Sequence, residues 1–119
     1  MLKLLQPTTE NLVSIGASGT VTAEDYEKVL IPAIEETLKS HDKVRVLFQL
    51  EPGTGFTAGA VWDDTKFGLS HFFAFEKFAL VSDTEWVNNT VKIFGFLMPC
   101  PVKRFALKER DAAMAWING

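Results

Sequence analysis

Apolar and polar positions alternate twice near the start of the chain, at Leu2/Leu4 and again at Val13/Ile15/Ala17. A period of two is the mark of a strand with one buried face. Leu2 to Leu5 and Asn11 to Ala17 are therefore predicted strands, and the intervening PTTE supplies the turn chemistry of an antiparallel hairpin. The period then changes. Tyr26, Val29, Leu30, Ala33, Ile34 and Leu38 recur at helical spacing. Thr22, with Asp25 three residues on, resembles a capping box, and Glu24 and Asp25 suit the positive end of a helix dipole. Pro32 falls inside the stripe, where its missing amide predicts a kink.

Lys43 to Leu50 is a nearly unbroken apolar run, interrupted by Arg45, which predicts a strand covered on both faces. Thr57 to about His71 reads as a helix carrying Val61, Trp62, Thr65, Leu69 and Phe72 on one side. Phe78 to Val81 is a short strand. Ser82 and Glu85 form a second capping box for a helix through Trp86, Thr90, Ile93 and Phe94. MPCP connects to a last strand, VKRFAL, and Glu109 to Ile117 is a last helix with Ala112, Ala113 and Trp116 inward. The order β-β-α-β-α-β-α-β-α predicts an α/β fold. Its sheet would have about five mostly parallel strands, with the N-terminal hairpin adding an antiparallel strand at or near one edge.

Length and composition narrow the class. The chain has 119 residues, 47% hydrophobic and 23% charged, with no linker, repeat or low-complexity tract, which predicts one globular domain over 1–119. A net charge of -3 gives no electrostatic case for nucleic acid or anionic membranes. The opening MLKLLQPTTEN is too short for a signal peptide, and no apolar run is long enough to span a bilayer, so a cytoplasmic location is expected. Ten Phe and three Trp against one Tyr provide more ring surface than a small core needs. That excess points to an apolar pocket or an interface.

Three stretches carry a family resemblance: SGTVTAEDYEKVLIPAIEE, GFTAGAVWDDTKFGL and FGFLMPCPVKRF. Together with the strands between them they resemble the SpoIIAA-like branch of the STAS (anti-sigma-factor-antagonist) superfamily over nearly the whole chain. The Trp-Asp-Asp and Met-Pro-Cys-Pro pieces are the most specific. Such proteins are also likened to the core of the CRAL-TRIO lipid-transfer fold. The resemblance implies a STAS-like fold and a small binding or regulatory module without established chemistry. Sporulation-type STAS regulators are phosphorylated on a serine in an Asp-Ser-Ser-Gly setting after the third strand. Here Gly53 to Ala58 has neither the aspartate nor the serines, and Thr57 is the nearest hydroxyl.

The loop EPGTGFTAG also fits the spacing G-x-G-x-x-[G/A] of a dinucleotide-binding turn. That chemistry needs an acidic residue about 20 residues on, at the end of the next strand, whereas the next strand ends at Ser82-Asp83, about 30 residues after Gly53. The alternatives are a strand-to-helix bend with Thr57 as cap, or an anion or phospho-threonine site at the helix start. Asp63 and Asp64 are adjacent and point about 100° apart on a helix, so they do not share a site. His41 and His71 lack partners at metal spacing, and one cysteine, Cys100, excludes a Cys-rich zinc site. Cys100 between two prolines reads as a buried residue of a rigid turn. No cofactor or metal is expected.

The aromatic cluster is the strongest lead. Its members are Phe56, Trp62, Phe67, Phe72, Phe73 and Phe75, and core packing accounts for most of them, with Trp62, Leu69 and Phe72 able to face inward while Phe67 points elsewhere. Parallel sheets place their sites at the carboxyl ends of the strands. The expected site is therefore Phe56, Thr57, Trp62 and Phe67, binding an apolar small molecule or a protein partner, with homodimerisation compatible. The alternative is a partner-switching regulator with Thr57 as phosphoacceptor. No nucleophile, base or metal set identifies an enzyme.

Overall fold

A computed structural model describes residues 1–5, 11–60, 62, 74–83 and 100–119. At its centre β4 (Val44–Leu50) lies between β2 (Leu12–Ala17) and β6 (Phe75–Val81), parallel to both. β1 (Leu2–Leu4) pairs antiparallel with β2, and β7 (Val102–Phe105) pairs parallel with β6. The five-stranded order is β1-β2-β4-β6-β7. This is the α/β architecture expected, with a parallel sheet and an antiparallel hairpin strand at one edge.

The near-continuous hydrophobicity of β4 follows from its position. Val46, Phe48 and Leu50 belong to a core that includes Tyr26, Leu30 and Ile34, while Leu47 turns the other way onto Ala113 and Ile117. Helices thus cover both faces. After α1 (Ala23–Asp25), a π turn over Tyr26–Leu30 and α2 (Ile31–Ser40) supply the first, and α3 (Arg110–Asn118) the second. On α3, Ala113 and Ile117 are one turn apart and buried. Ala112, expected inward, is exposed because it lies about 100° from that stripe. Trp116 is half-buried and packs on Phe105, with ring centroids 6.1 Å apart.

The Thr22 capping box forms in both directions. Asp25 N–H donates to Thr22 Oγ1 at 3.3 Å, and Thr22 N–H donates to the Asp25 carboxylate at 2.9 Å. That backbone bond is the main reason the Asp25 carboxyl titrates below its usual range. Pro32 is answered by a π turn over Tyr26–Leu30, closed by Ile31 N–H donating to the Tyr26 carbonyl. The wider turn runs directly into α2, with Leu30 and Ile31 both helical, and Pro32 is the second residue of that helix.

One register shift matters. Val44 pairs with Phe75 and Arg45 with Lys77, leaving Glu76 unopposed in a bulge. Arg45 reaches it, donating from Nε at 3.2 Å and Nη2 at 2.9 Å, and also donates from Nη1 to the Ile117 carbonyl at 2.7 Å. Lys77 donates to the Trp116 carbonyl at 3.1 Å and lies over the Trp116 ring. Two cations of the sheet thereby satisfy the carbonyl end of α3.

Ser14 is an exception to this pairing. It is 1% exposed, and its hydroxyl has no hydrogen-bond partner among the described residues. An orphaned buried hydroxyl carries a desolvation cost without compensation. Ser14→Ala should therefore raise the denaturation midpoint, by about 1 kcal/mol of stability. A lowered midpoint would refute that cost.

Candidate functional site

The glycine loop follows the carboxyl end of β4. Pro52 and Gly53 occupy the middle of a turn in which Thr54 N–H donates to the Glu51 carbonyl at 3.2 Å. Gly53 has φ +81°, the conformation required of the third residue of a type II turn. Thr54 is buried, and its hydroxyl donates to the Glu51 carbonyl at 2.6 Å, with the Ala17 carbonyl 3.2 Å away.

The chain then forms a second, two-stranded parallel sheet that sequence reasoning missed. β3 (Thr20–Val21) pairs with β5 (Gly55–Phe56), Thr20 opposite Gly55 and Val21 opposite Phe56. Gly55 N–H donates to the Gly19 carbonyl at 2.9 Å and Thr57 N–H to the Val21 carbonyl at 3.0 Å. These bonds take three of the loop's amides away from a dinucleotide cradle. A phosphate cradle works by turning loop N–H groups toward the anion, but here the amides of Thr54, Gly55 and Thr57 are already bonded to protein carbonyls. The loop is a turn followed by a strand.

Each short strand leads directly into a threonine cap. Thr22 caps α1, and Thr57 Oγ1 accepts from Ala60 N–H at 3.1 Å at the head of the next helical turn. The parallel register brings the two helix starts together. A Cβ placed on Gly59 would lie 3.3 Å from Ala23 Cβ, so Gly59 allows this approach.

Within this unit Phe56 is half-buried and packs against the core, and Thr57 is half-buried as the cap. Trp62, able on sequence grounds to face inward and also named for the site, is 65% exposed. The physical reason is phase. Ala60 is the fully buried residue of the turn, and Trp62 lies about 200° further round. Ala58 and Gly59 are exposed with it. Phe56, Thr57 and Trp62 thus share one strand–cap–helix unit. Phe67 lies outside the described residues, as do Asp63, Asp64, His71, Leu69, Phe72 and the Glu85 half of the second capping box.

Cys100 is buried, and burial pushes its thiol upward from the ordinary value, away from the reactive thiolate. Among the described residues no cluster of His, Cys, Asp or Glu could hold a metal, and no helix is long and apolar enough to cross a membrane. A cavity of about 250 Å³ lies at the opposite end of β2, lined by Leu4, Leu5, Leu12, Val13, Ala33 and Thr37 among others. Sequence reasoning gave no sign of it.

A five-stranded sheet with an antiparallel edge hairpin and helices on both faces is here the SpoIIAA-like fold of a STAS-type regulatory or binding module. The chain is a member of the SpoIIAA-like family, whose profile matches residues 12–118. Its fold is similar to that of a DUF3478-family protein with a SpoIIAA-like fold from Shewanella loihica, described as uncharacterised. The two share 24% identity at a TM-score of 0.77, over 98% of this chain and 92% of that one. No match is found among curated proteins.

Proposed function

We propose that this chain acts as one non-enzymatic STAS-like unit that binds a protein partner through Phe56, Thr57 and Trp62, with Phe67 as a further contact. The exposure of Trp62 beside the loop carries the reading. Tryptophan is among the residues most enriched at binding hot spots, and this indole stands exposed beside Ala58 and Gly59 at the carboxyl end of the sheet. An apolar small molecule is the other expected occupant of this surface. Self-association through the same surface is compatible.

A second reading has Thr57 as phosphoacceptor in a partner switch. It rests on the cap position itself, since a phosphate there would sit at two neighbouring helix starts.

Trp62→Ala is the test. Because the ring is exposed, the substitution should change stability by less than about 0.5 kcal/mol. Native mass spectrometry of complexes purified from source cells should nevertheless show partner or self-association weakened by about thirtyfold, the scale of a hot spot near 2 kcal/mol. Undiminished association in Trp62→Ala and Phe56→Ala would sink the interface reading. The same spectra report added phosphate, and an unmodified Thr57 across growth states would count against the switch.

A further inference from the structure

β7 is the last strand of the described sheet, so no described strand pairs with its outer side. Its inner side is fully used. Phe78 N–H donates to the Pro101 carbonyl at 3.0 Å and Ser82 N–H to the Phe105 carbonyl at 2.9 Å. A parallel ladder engages alternate residues of a strand, which leaves Val102 and Arg104 directing N–H and C=O outward. The next amide in that outward series, Ala106, donates to the Glu109 carboxylate at 2.8 Å. One carboxylate thus already sits at the end of this edge.

The side chains here are cationic in a chain of net charge -3. Lys103 and Arg104 are both exposed and, by strand alternation, flank the edge on opposite faces of the sheet. Each is anchored. Lys103 Nζ lies 5.2 Å from the Phe105 ring centroid, and Arg104 Nη1 donates to the Ser82 carbonyl at 2.8 Å. Exposed Lys108 follows. Two nearby carboxylates are occupied by backbone, Glu109 as above and Asp83 by Leu107 N–H at 3.1 Å. Cations on an edge strand normally serve to prevent pairing with a second copy. The same charges discriminate by sign, repelling another β7 while matching a strand that carries carboxylates.

We propose that β7 is a strand-addition site for an extended acidic peptide segment. The peptide backbone pairs with Val102 and Arg104, and its carboxylates meet Lys103 on one face and Arg104 on the other. This edge is separate from the Phe56–Trp62 unit and does not depend on the function proposed for it.

The test uses the full chain, isotope-labelled for NMR, and three capped heptapeptides: alternating Glu/Val, alternating Lys/Val, and all-Glu. The Glu/Val peptide should bind and slow hydrogen exchange at the Val102 and Arg104 amides, and the Lys/Val peptide should not bind. Lys103→Glu with Arg104→Glu should weaken binding at least about tenfold, with folding checked by circular dichroism. Arg104→Ala and Arg104→Pro both remove the charge, but only proline also removes an outward amide at an edge position that tolerates it. A further loss in the proline variant supports backbone pairing. Equal affinity of the two variants, all-Glu binding as tightly as Glu/Val, unprotected edge amides, or no binding at millimolar peptide would each overturn the proposal.

Discussion

Arg45→Met is expected to destabilise the protein by about 3 kcal/mol, the scale for removing one partner of a largely buried charged network. Arg45 has only 17% of its side chain exposed and holds together two elements far apart in sequence, the Glu76 bulge of β6 and the Ile117 carbonyl of α3. Methionine preserves the apolar stem but removes every donor. The Ile117 carbonyl then loses its guanidinium partner, and α3 should show the largest increase in amide hydrogen exchange. Denaturant titration of the variant measures the loss, and a change below about 0.5 kcal/mol would mean that the network contributes no more than a surface pair.

The same network sets an acid limit. The Arg45 hydrogen bond holds the Glu76 carboxyl below its ordinary value of 4.5, against the opposing effect of burial. A depressed folded-state value stabilises the protein above the unfolded value, and that contribution disappears as pH falls through the folded one. Wild-type stability should therefore decline below about pH 4.5 more steeply than that of Arg45→Met, which lacks the coupling. Glu76 is 37% exposed on its side chain, so solvent screens part of the effect.

Gly59→Val should cost about 2–3 kcal/mol, whereas Gly59→Ala should stay within about 1 kcal/mol of wild type. The alanine Cβ meets Ala23 Cβ at 3.3 Å, a tight contact partly offset by better helix propensity. A β-branched side chain adds atoms where the two helix starts already touch and forces them apart. The Thr57 cap sits two residues away, so the variant tests whether stability and the candidate site are coupled. Urea midpoints of the two variants decide it, and a valine variant as stable as the alanine one would show the helix starts free to separate.

The large elements were legible because their signals are periodic. Val13/Ile15/Ala17 marked a strand, and the Arg45-interrupted run marked a strand buried on both faces. Thr22 with Asp25 marked a helix start, and the structure has each of them. What escaped was too short or too distant for pattern. β3 and β5 are two residues each, below any period, and their pairing joins Thr20 to Gly55 across the intervening β4. The Arg45–Glu76 contact depends on a bulge, which shifts register without changing composition. Trp62 was left open between core and site because apolar identity does not set helical phase, which here follows from buried Ala60, a residue too small to dominate a hydrophobic count. The turn at Pro52-Gly53 was legible, being a turn signal independent of distant context, but the strand-to-helix bend expected there is interrupted by β5.

The π turn before Pro32 has a consequence for alignment. Tyr26, Leu30 and Ile34 are all buried at intervals of four. In a regular helix at about 100° per residue, eight residues overshoot two full turns by about 80°, enough to carry Ile34 away from the line set by Tyr26. A turn that holds an extra residue winds more slowly and takes back part of that rotation. Pro32 favours this slower turn by withholding the amide that would have closed an ordinary one. The residue that reads as a defect in the sequence therefore acts as a rotational correction, keeping Tyr26, Leu30 and Ile34 in one apolar seam against the sheet.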